Sequence, residues 1–212
     1  MTLRYIVEEM TTYAIIFLEI YYFNEEGLSM VVLRSEMVPL GTPADDFTLP
    51  GVDGKRYSLG SFEGKQILVV IFMCNHCPYV KATLDRMIRI QKRYQDKSVQ
   101  LIGINPNDET TYPDDSFENM KVVAKAKEIP FPYLRDESQQ VARKYNAVCT
   151  PDIFVYGPER KLLYRGRIDD NWQFEEKVTA HDLTDALDAI MSGKTVTEKQ
   201  HPSMGCSIKW KD

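Results

Sequence analysis

The 212-residue chain is poor in cysteine, with four, and in histidine, with three. Four cysteines cannot staple a domain of this length, so a disulfide scaffold is excluded. A reducing, cytoplasmic setting is expected, with any disulfide transient. There is no basic run, and the formal net charge is -5, which together speak against a nucleic-acid surface. Phosphate-binding glycine loops, paired catalytic carboxylates, internal repeats and low-complexity segments are also missing. Near the start, the apolar stretch 13–23 is short and interrupted by Glu19, too little for a bilayer span, so no membrane partner is expected. Glu8 and Glu9 precede it and no small-residue cleavage site follows, which disfavours a secretory signal. We read it as an extra helix or strand packed on the body or on a second chain, making a homodimer a candidate assembly. Met30 and Met37 are each candidate starts, and either would make residues 1–29 an upstream extension.

What is present suffices for a packed core: 43% hydrophobic and 27% charged residues, an ordinary globular balance. The length fits one domain with extensions. The division expected is an N-terminal extension at 1–36, a domain at 37–193 and a tail at 194–212.

The chain is organised around residues 67–80, where an apolar, β-branched run ends abruptly in Cys74-Asn75-His76-Cys77. The run reads as a central strand covered on both faces. From Pro78 to about Tyr94, Val80, Leu84, Met87 and Ile88 recur at helical spacing, and proline suits the first turn. Cys74 is thereby expected at a helix N-terminus, where amides and the helix dipole favour a thiolate. Cys77, one turn on, can close a disulfide with it. His76 is expected to donate to the thiolate and stabilise the reduced form, which raises the reduction potential. The bland alternatives are two buried cysteines or half of a zinc site.

Further along, residues 46–49 and 55–59 read as a hairpin about Gly51-Val52-Asp53-Gly54, and residues 98–104 as a second strand parallel to the first. The polar loop 105–115 leaves that strand on the same edge as Cys74, either as a simple connection or as a rim of the site. Helices are expected at 117–128, capped by Asp115 or Ser116, at 138–145 and at 181–191, with a short strand at 131–134. Cys149-Thr150-Pro151 opens an apolar strand to Tyr156, an unusual place for proline, and residues 161–167 pair back on it. Asp169, Asp170 and Trp172 follow this hairpin, either as a rim of the cleft or, by default, as a solvated loop.

Together these features resemble the thioredoxin superfamily, and within it the redoxin or peroxiredoxin-like branch that includes alkyl hydroperoxide reductase and thiol-specific antioxidant proteins. The likeness runs from about Pro39 to Gly193. It is carried by the hairpin, the strand–Cys74-Asn75-His76-Cys77–helix unit, the inserted helix, Cys149-Thr150-Pro151-Asp152 and the tail Gly205-Cys206-Ser207-Ile208-Lys209-Trp210. It implies an α/β fold, a central mixed sheet flanked by helices with an N-terminal β-hairpin. It implies also that Pro151 is cis beside Cys74, with Thr150 and Pro151 pairing with substrate backbone, and that Cys149 lies near the cysteine pair. No cofactor is implied. Departures are visible. Thioredoxins carry Trp before the first cysteine and Gly-Pro between the pair, where Met73 and Asn75-His76 stand here. Leu68, Val69 and Val70 occupy the region of their buried aspartate. Peroxiredoxins place Thr three residues before the reactive cysteine, and Ile71 is there. Their arginine beside the later proline is missing, with Arg165 and Arg167 one strand further on.

The leading expectation is thiol–disulfide exchange through Cys74 and Cys77, with protein or small-molecule thiols and disulfides as partners and an unidentified electron donor. Peroxide reduction, resolved by Cys77, Cys149 or Cys206, is the alternative. A zinc module from Cys74, Cys77, His201 and Cys206 is the third reading.

Overall fold

The computed structural model describes residues 20–23, 29–196 and 199–211, with side chains from residue 32 onward. Its strands are β1 (Ile20–Phe23), β2 (Ser29–Arg34), β3 (Thr48–Pro50), β4 (Arg56–Ser58), β5 (Ile67–Phe72) and β6 (Val99–Asn105). They continue with β7 (Tyr133–Arg135), β8 (Cys149–Thr150), β9 (Asp152–Tyr156), β10 (Leu162–Arg165) and β11 (Met204–Ser207). The helices are α1 (Pro78–Tyr94), α2 (Phe117–Ala126), α3 (Gln140–Lys144) and α4 (Asp182–Met191).

The main sheet runs β10-β9-β5-β6-β7. β5, β6 and β7 are parallel, β9 is antiparallel to β5, and β10 is antiparallel to β9. All six residues of β5 are buried, and its pleat sorts them between two cores. Ile67, Val69 and Ile71 pack with Val80, Leu84 and Met87 of α1 and Leu183 and Leu187 of α4. Leu68, Val70 and Phe72 pack on the other face with Phe47, Val141, Tyr145 and Phe154. Both faces being dry explains the unbroken apolar run, since each such side chain contributes roughly 1.5–3 kcal/mol on burial. The N-terminal hairpin is the separate β3–β4 pair.

Two features differ from the sequence reading. The strand expected through Pro151 is two strands, β8 and β9, with the Thr150–Pro151 peptide, which is cis, between them. β8 leaves the main sheet there and joins a second one, β1-β2-β11-β8. The tail, read without structure, supplies β11, which lies between β2 and β8. Of the 13–23 segment, residues 13–19 fall outside the described residues, and Ile20–Phe23 is a strand paired with β2. Among the described residues, no helix is long and apolar enough to cross a membrane.

Candidate active site

Cys74 follows β5 at the carboxyl end of the parallel strands, and Cys77 is the N-cap of α1, with Pro78 opening the helix. Both residues are buried. The edge loop after β6, expected as a connection or a rim, supplies the site's anchor. Its last residue, Asp115, is fully buried and accepts four hydrogen bonds: from Asn75 N at 2.6 Å, His76 N at 3.2 Å, His76 Nδ1 at 2.5 Å and Asn107 Nδ2 at 2.8 Å. The Asn75 side chain is tied in turn, donating to Asp114 O at 2.8 Å and accepting from Tyr133 Oη at 3.1 Å. The loop between the cysteines is therefore fixed by a carboxylate on a different element. Burial would raise the Asp115 carboxyl, but the hydrogen bond and charge of His76, with Asn107 and the Asn75 amide, hold it below its ordinary value.

One sequence expectation is corrected here. The helix N-terminus belongs to Cys77, because α1 begins only at Pro78. His76 Nδ1 lies 3.9 Å from Cys74 Sγ, within hydrogen-bonding reach of sulfur, and 2.5 Å from Asp115 Oδ2. The ring stacks on Tyr112, with centroids 4.9 Å apart.

Thr150 joins the two thiols. Its hydroxyl lies 3.4 Å from Cys74 Sγ, and its carbonyl oxygen 3.1 Å from Cys77 Sγ. Cys206, on β11, brings its sulfur to 2.9 Å from that of Cys77. The cysteines titrate as a set. Burial, a hydrogen bond to Cys77 and the Asp115 charge push the Cys74 thiol well up. Cys77 is buried too, yet hydrogen bonds from Cys206, Cys74 and Thr150 bring it well below the usual thiol value. Cys77 sits at the helix N-terminus, where the dipole favours an anion.

Cys149 Sγ lies 3.7 Å from the Pro151 carbonyl oxygen, and burial, with the nearby Asp152 and Cys77, raises its thiol. Arg165 is fully buried and paired with Asp152 Oδ2 at 3.1 Å, so it holds no position over the cysteines. Burial pushes Asp152 up to about 6, against the lowering charge of Arg165. The zinc set is not assembled: His201 Nδ1 is 3.0 Å from Asp182 Oδ1. Among the described residues, the metal-type donors that all fall within 4.8 Å of one another are those of Cys74, His76 and Asp115. Asp115 and His76 Nδ1 in that trio are already engaged with each other. Asp169, Asp170 and Trp172, taken by default as a solvated loop, line a cleft of about 190 Å³ with Pro151, Arg167 and Met204. Trp172 is held there against Tyr79 of α1, ring centroids 4.0 Å apart.

A family model described as the AhpC/TSA family matches residues 40–165. The chain belongs to that family. Its members are redoxins, and the central sheet with flanking helices described above is the thioredoxin-like fold. A thioredoxin domain of a thiol-disulfide oxidoreductase from Bacteroides vulgatus, 20% identical, has that fold with a TM-score of 0.53, over 61% of this chain and 89% of its own. A protein from Geobacillus kaustophilus described as an uncharacterized conserved protein is 44% identical, with a TM-score of 0.82 over 87% of this chain and 98% of its own. Among curated relatives, the thiol-disulfide oxidoreductase ResA of Bacillus subtilis is 24% identical over 63% of this chain and 70% of its own length. The chloroplastic peroxiredoxin Q of Triticum aestivum is 26% identical over 58% of this chain and 52% of that protein. Asp115 could have been suspected from its place at the end of the edge loop; as a residue beside a helix start, it reads in sequence as a cap.

Proposed function

We propose that this protein is a thiol–disulfide oxidoreductase whose redox centre is the Cys74–Cys77 pair. The observation that carries the reading is the pair of contacts from one residue, Thr150, to both sulfurs at the edge of the sheet. Cys74 is the attacking thiol, and the anionic Cys77 beside it is the base. As Cys74 attacks a substrate disulfide, its proton passes to Cys77, a substrate thiolate leaves, and a mixed disulfide forms. Cys77 then attacks Cys74 Sγ, the Cys74–Cys77 disulfide closes, and the second substrate sulfur leaves with the Cys77 proton. The substrate gains two electrons and the protein loses two; a thiol donor restores the dithiol.

The substrate class we propose is a compact disulfide. Of the two edges of β8 to which an extended peptide could add as a strand, the one facing β11 is taken through Thr150 and Cys149. A small disulfide instead reaches Pro151 through the cleft beside Trp172. The reduced protein, mixed with 2-hydroxyethyl disulfide, is expected to oxidise with release of thiol. Cys77→Ala is expected to stop at a mixed disulfide on Cys74, reached more slowly for want of the base, and Cys74→Ala to lose the reaction. A Cys74→Ala protein that reduces the disulfide at the native rate sinks the assignment.

Peroxide reduction is the second reading. It draws on the Thr150 hydroxyl beside Cys74 Sγ, a donor able to hold a peroxide oxygen. Against it stands the engagement of Arg165 with Asp152. Hydrogen peroxide offered in the same assay, with sulfenic acid trapped on Cys74, separates the two.

A further inference from the structure

The tail is built into the redox centre. β11 pairs antiparallel with β8, Cys206 opposite Thr150 and Ser207 opposite Cys149, and on its other side with β2. The approach to β8 is so close that a Cβ on Gly205 would stand 2.0 Å from the Thr150 carbonyl oxygen. The chain on either side is anchored as well. Ser203 exchanges hydrogen bonds with Ser35 at 2.9 Å, and Ile208 N donates to Val148 O at 3.0 Å. Lys209 N donates to Asn107 Oδ1 at 2.9 Å, and its carbonyl accepts from Gln139 Nε2 at 2.8 Å. Asn107 also donates to Asp115, so one side chain ties the tail to the carboxylate that fixes the cysteine loop.

Set in this frame, Cys206 Sγ lies 2.9 Å from Cys77 Sγ. Cys77 shares hydrogen bonds with both Cys206 and Cys74. Cys77 is the middle thiol of three.

We propose that Cys206 is a third member of the redox centre and that Cys77 alternates between two disulfides, one with Cys74 and one with Cys206. The proposal rests on the thiol–disulfide reading above. After Cys74 and Cys77 have been oxidised by substrate, the Cys206 sulfur attacks Cys77 Sγ. The Cys77–Cys206 bond forms, the Cys74–Cys77 bond breaks, and the Cys206 proton goes to the departing Cys74 sulfur. No electron is gained or lost in this step. Its result is a tail covalently latched across the edge of β8 and a Cys74 thiol restored in a protein that still holds the oxidising equivalent. Incoming thiol donor then reopens the latch by reducing Cys77–Cys206.

The test is disulfide mapping of full-length protein after oxidation by one equivalent of 2-hydroxyethyl disulfide, acid quenching and alkylation. Wild type is expected to yield both Cys74–Cys77 and Cys77–Cys206 peptides, and Cys74→Ala treated with diamide the second alone. In the oxidised state, Cys74 of wild type is expected to alkylate at least about tenfold faster than in Cys206→Ala, where it stays locked to Cys77. The proposal is overturned if wild type yields only Cys74–Cys77, or if oxidised Cys74 is equally unreactive in both proteins. The wild-type map needs no variant to fold. Absence of a Cys74–Cys77 peptide from oxidised Cys206→Ala would instead overturn the underlying reading.

Discussion

Replacing Asp115 with Asn removes a charge that four donors share while keeping the side chain's volume. Whichever way the new amide turns, one of its two ends is an NH2. That end faces either the Asn75 and His76 amides or His76 Nδ1 and Asn107 Nδ2. Two buried donors lose an acceptor, and each costs about 1–3 kcal/mol. His76 can move its proton to Nε2 and accept at Nδ1, so the total belongs at the lower end, about 2 kcal/mol. The sign with pH follows from the lowered Asp115 carboxyl. Its contribution is present above the ordinary value of 3.8 and is lost as pH falls through the folded-state value. Denaturant unfolding of the fully reduced proteins is therefore expected to show a deficit of about 2 kcal/mol at pH 7 that narrows below about pH 4. The same substitution acts on chemistry. Asp115 is one of the groups raising the Cys74 thiol, so its loss moves the pH profile of Cys74 alkylation downward. A deficit under about 0.5 kcal/mol, within what an ordinary surface change produces, together with an unmoved alkylation profile, would refute this account of the carboxylate.

Other consequences follow from single contacts. Gly205→Ala drives a Cβ against the Thr150 carbonyl; overpacking of this kind costs about 1–3 kcal/mol, and hydrogen exchange at the Ile208 amide is expected to quicken as β11 loosens. Arg165→Met leaves Asp152 buried without its cation, at about 3–5 kcal/mol in chemical denaturation, whereas adding Asp152→Asn is expected to recover most of the loss. Equal losses in the single and double variants would mean that the ion pair is not what the arginine contributes. Trp172→Ala removes the wall that stacks on Tyr79 and is expected to slow reduction of small disulfides while leaving direct alkylation of Cys74 unchanged.

The parts legible in sequence are those whose signal is local. The apolar run of β5, Pro78 at the first turn and the spacing of Val80, Leu84 and Met87 define a strand and a helix from neighbours alone. Cys74 and Cys77 are placed with them. The parts not legible are set by distant pairing. β11 is four residues, Met-Gly-Cys-Ser, too short for any periodicity; it is a strand because β2 and β8 hold it on both sides. Asp115 and Ser116 sit together at the start of α2, and both read as caps. Ser116 caps, accepting from Asn119 N at 3.3 Å, while Asp115 turns inward to a loop forty residues back. Arg165 looks in sequence like one more charge on a hairpin strand, and its burial follows from Asp152 lying across the sheet.

The measurement that bears most directly on the central claim is a redox titration of the full-length protein in glutathione buffers, quenched by alkylation and read by peptide mapping. A reversible two-electron couple in which Cys74 and Cys77 pair with each other is expected. Cysteines that stay as thiols, or collect only glutathione across the whole range, would contradict it.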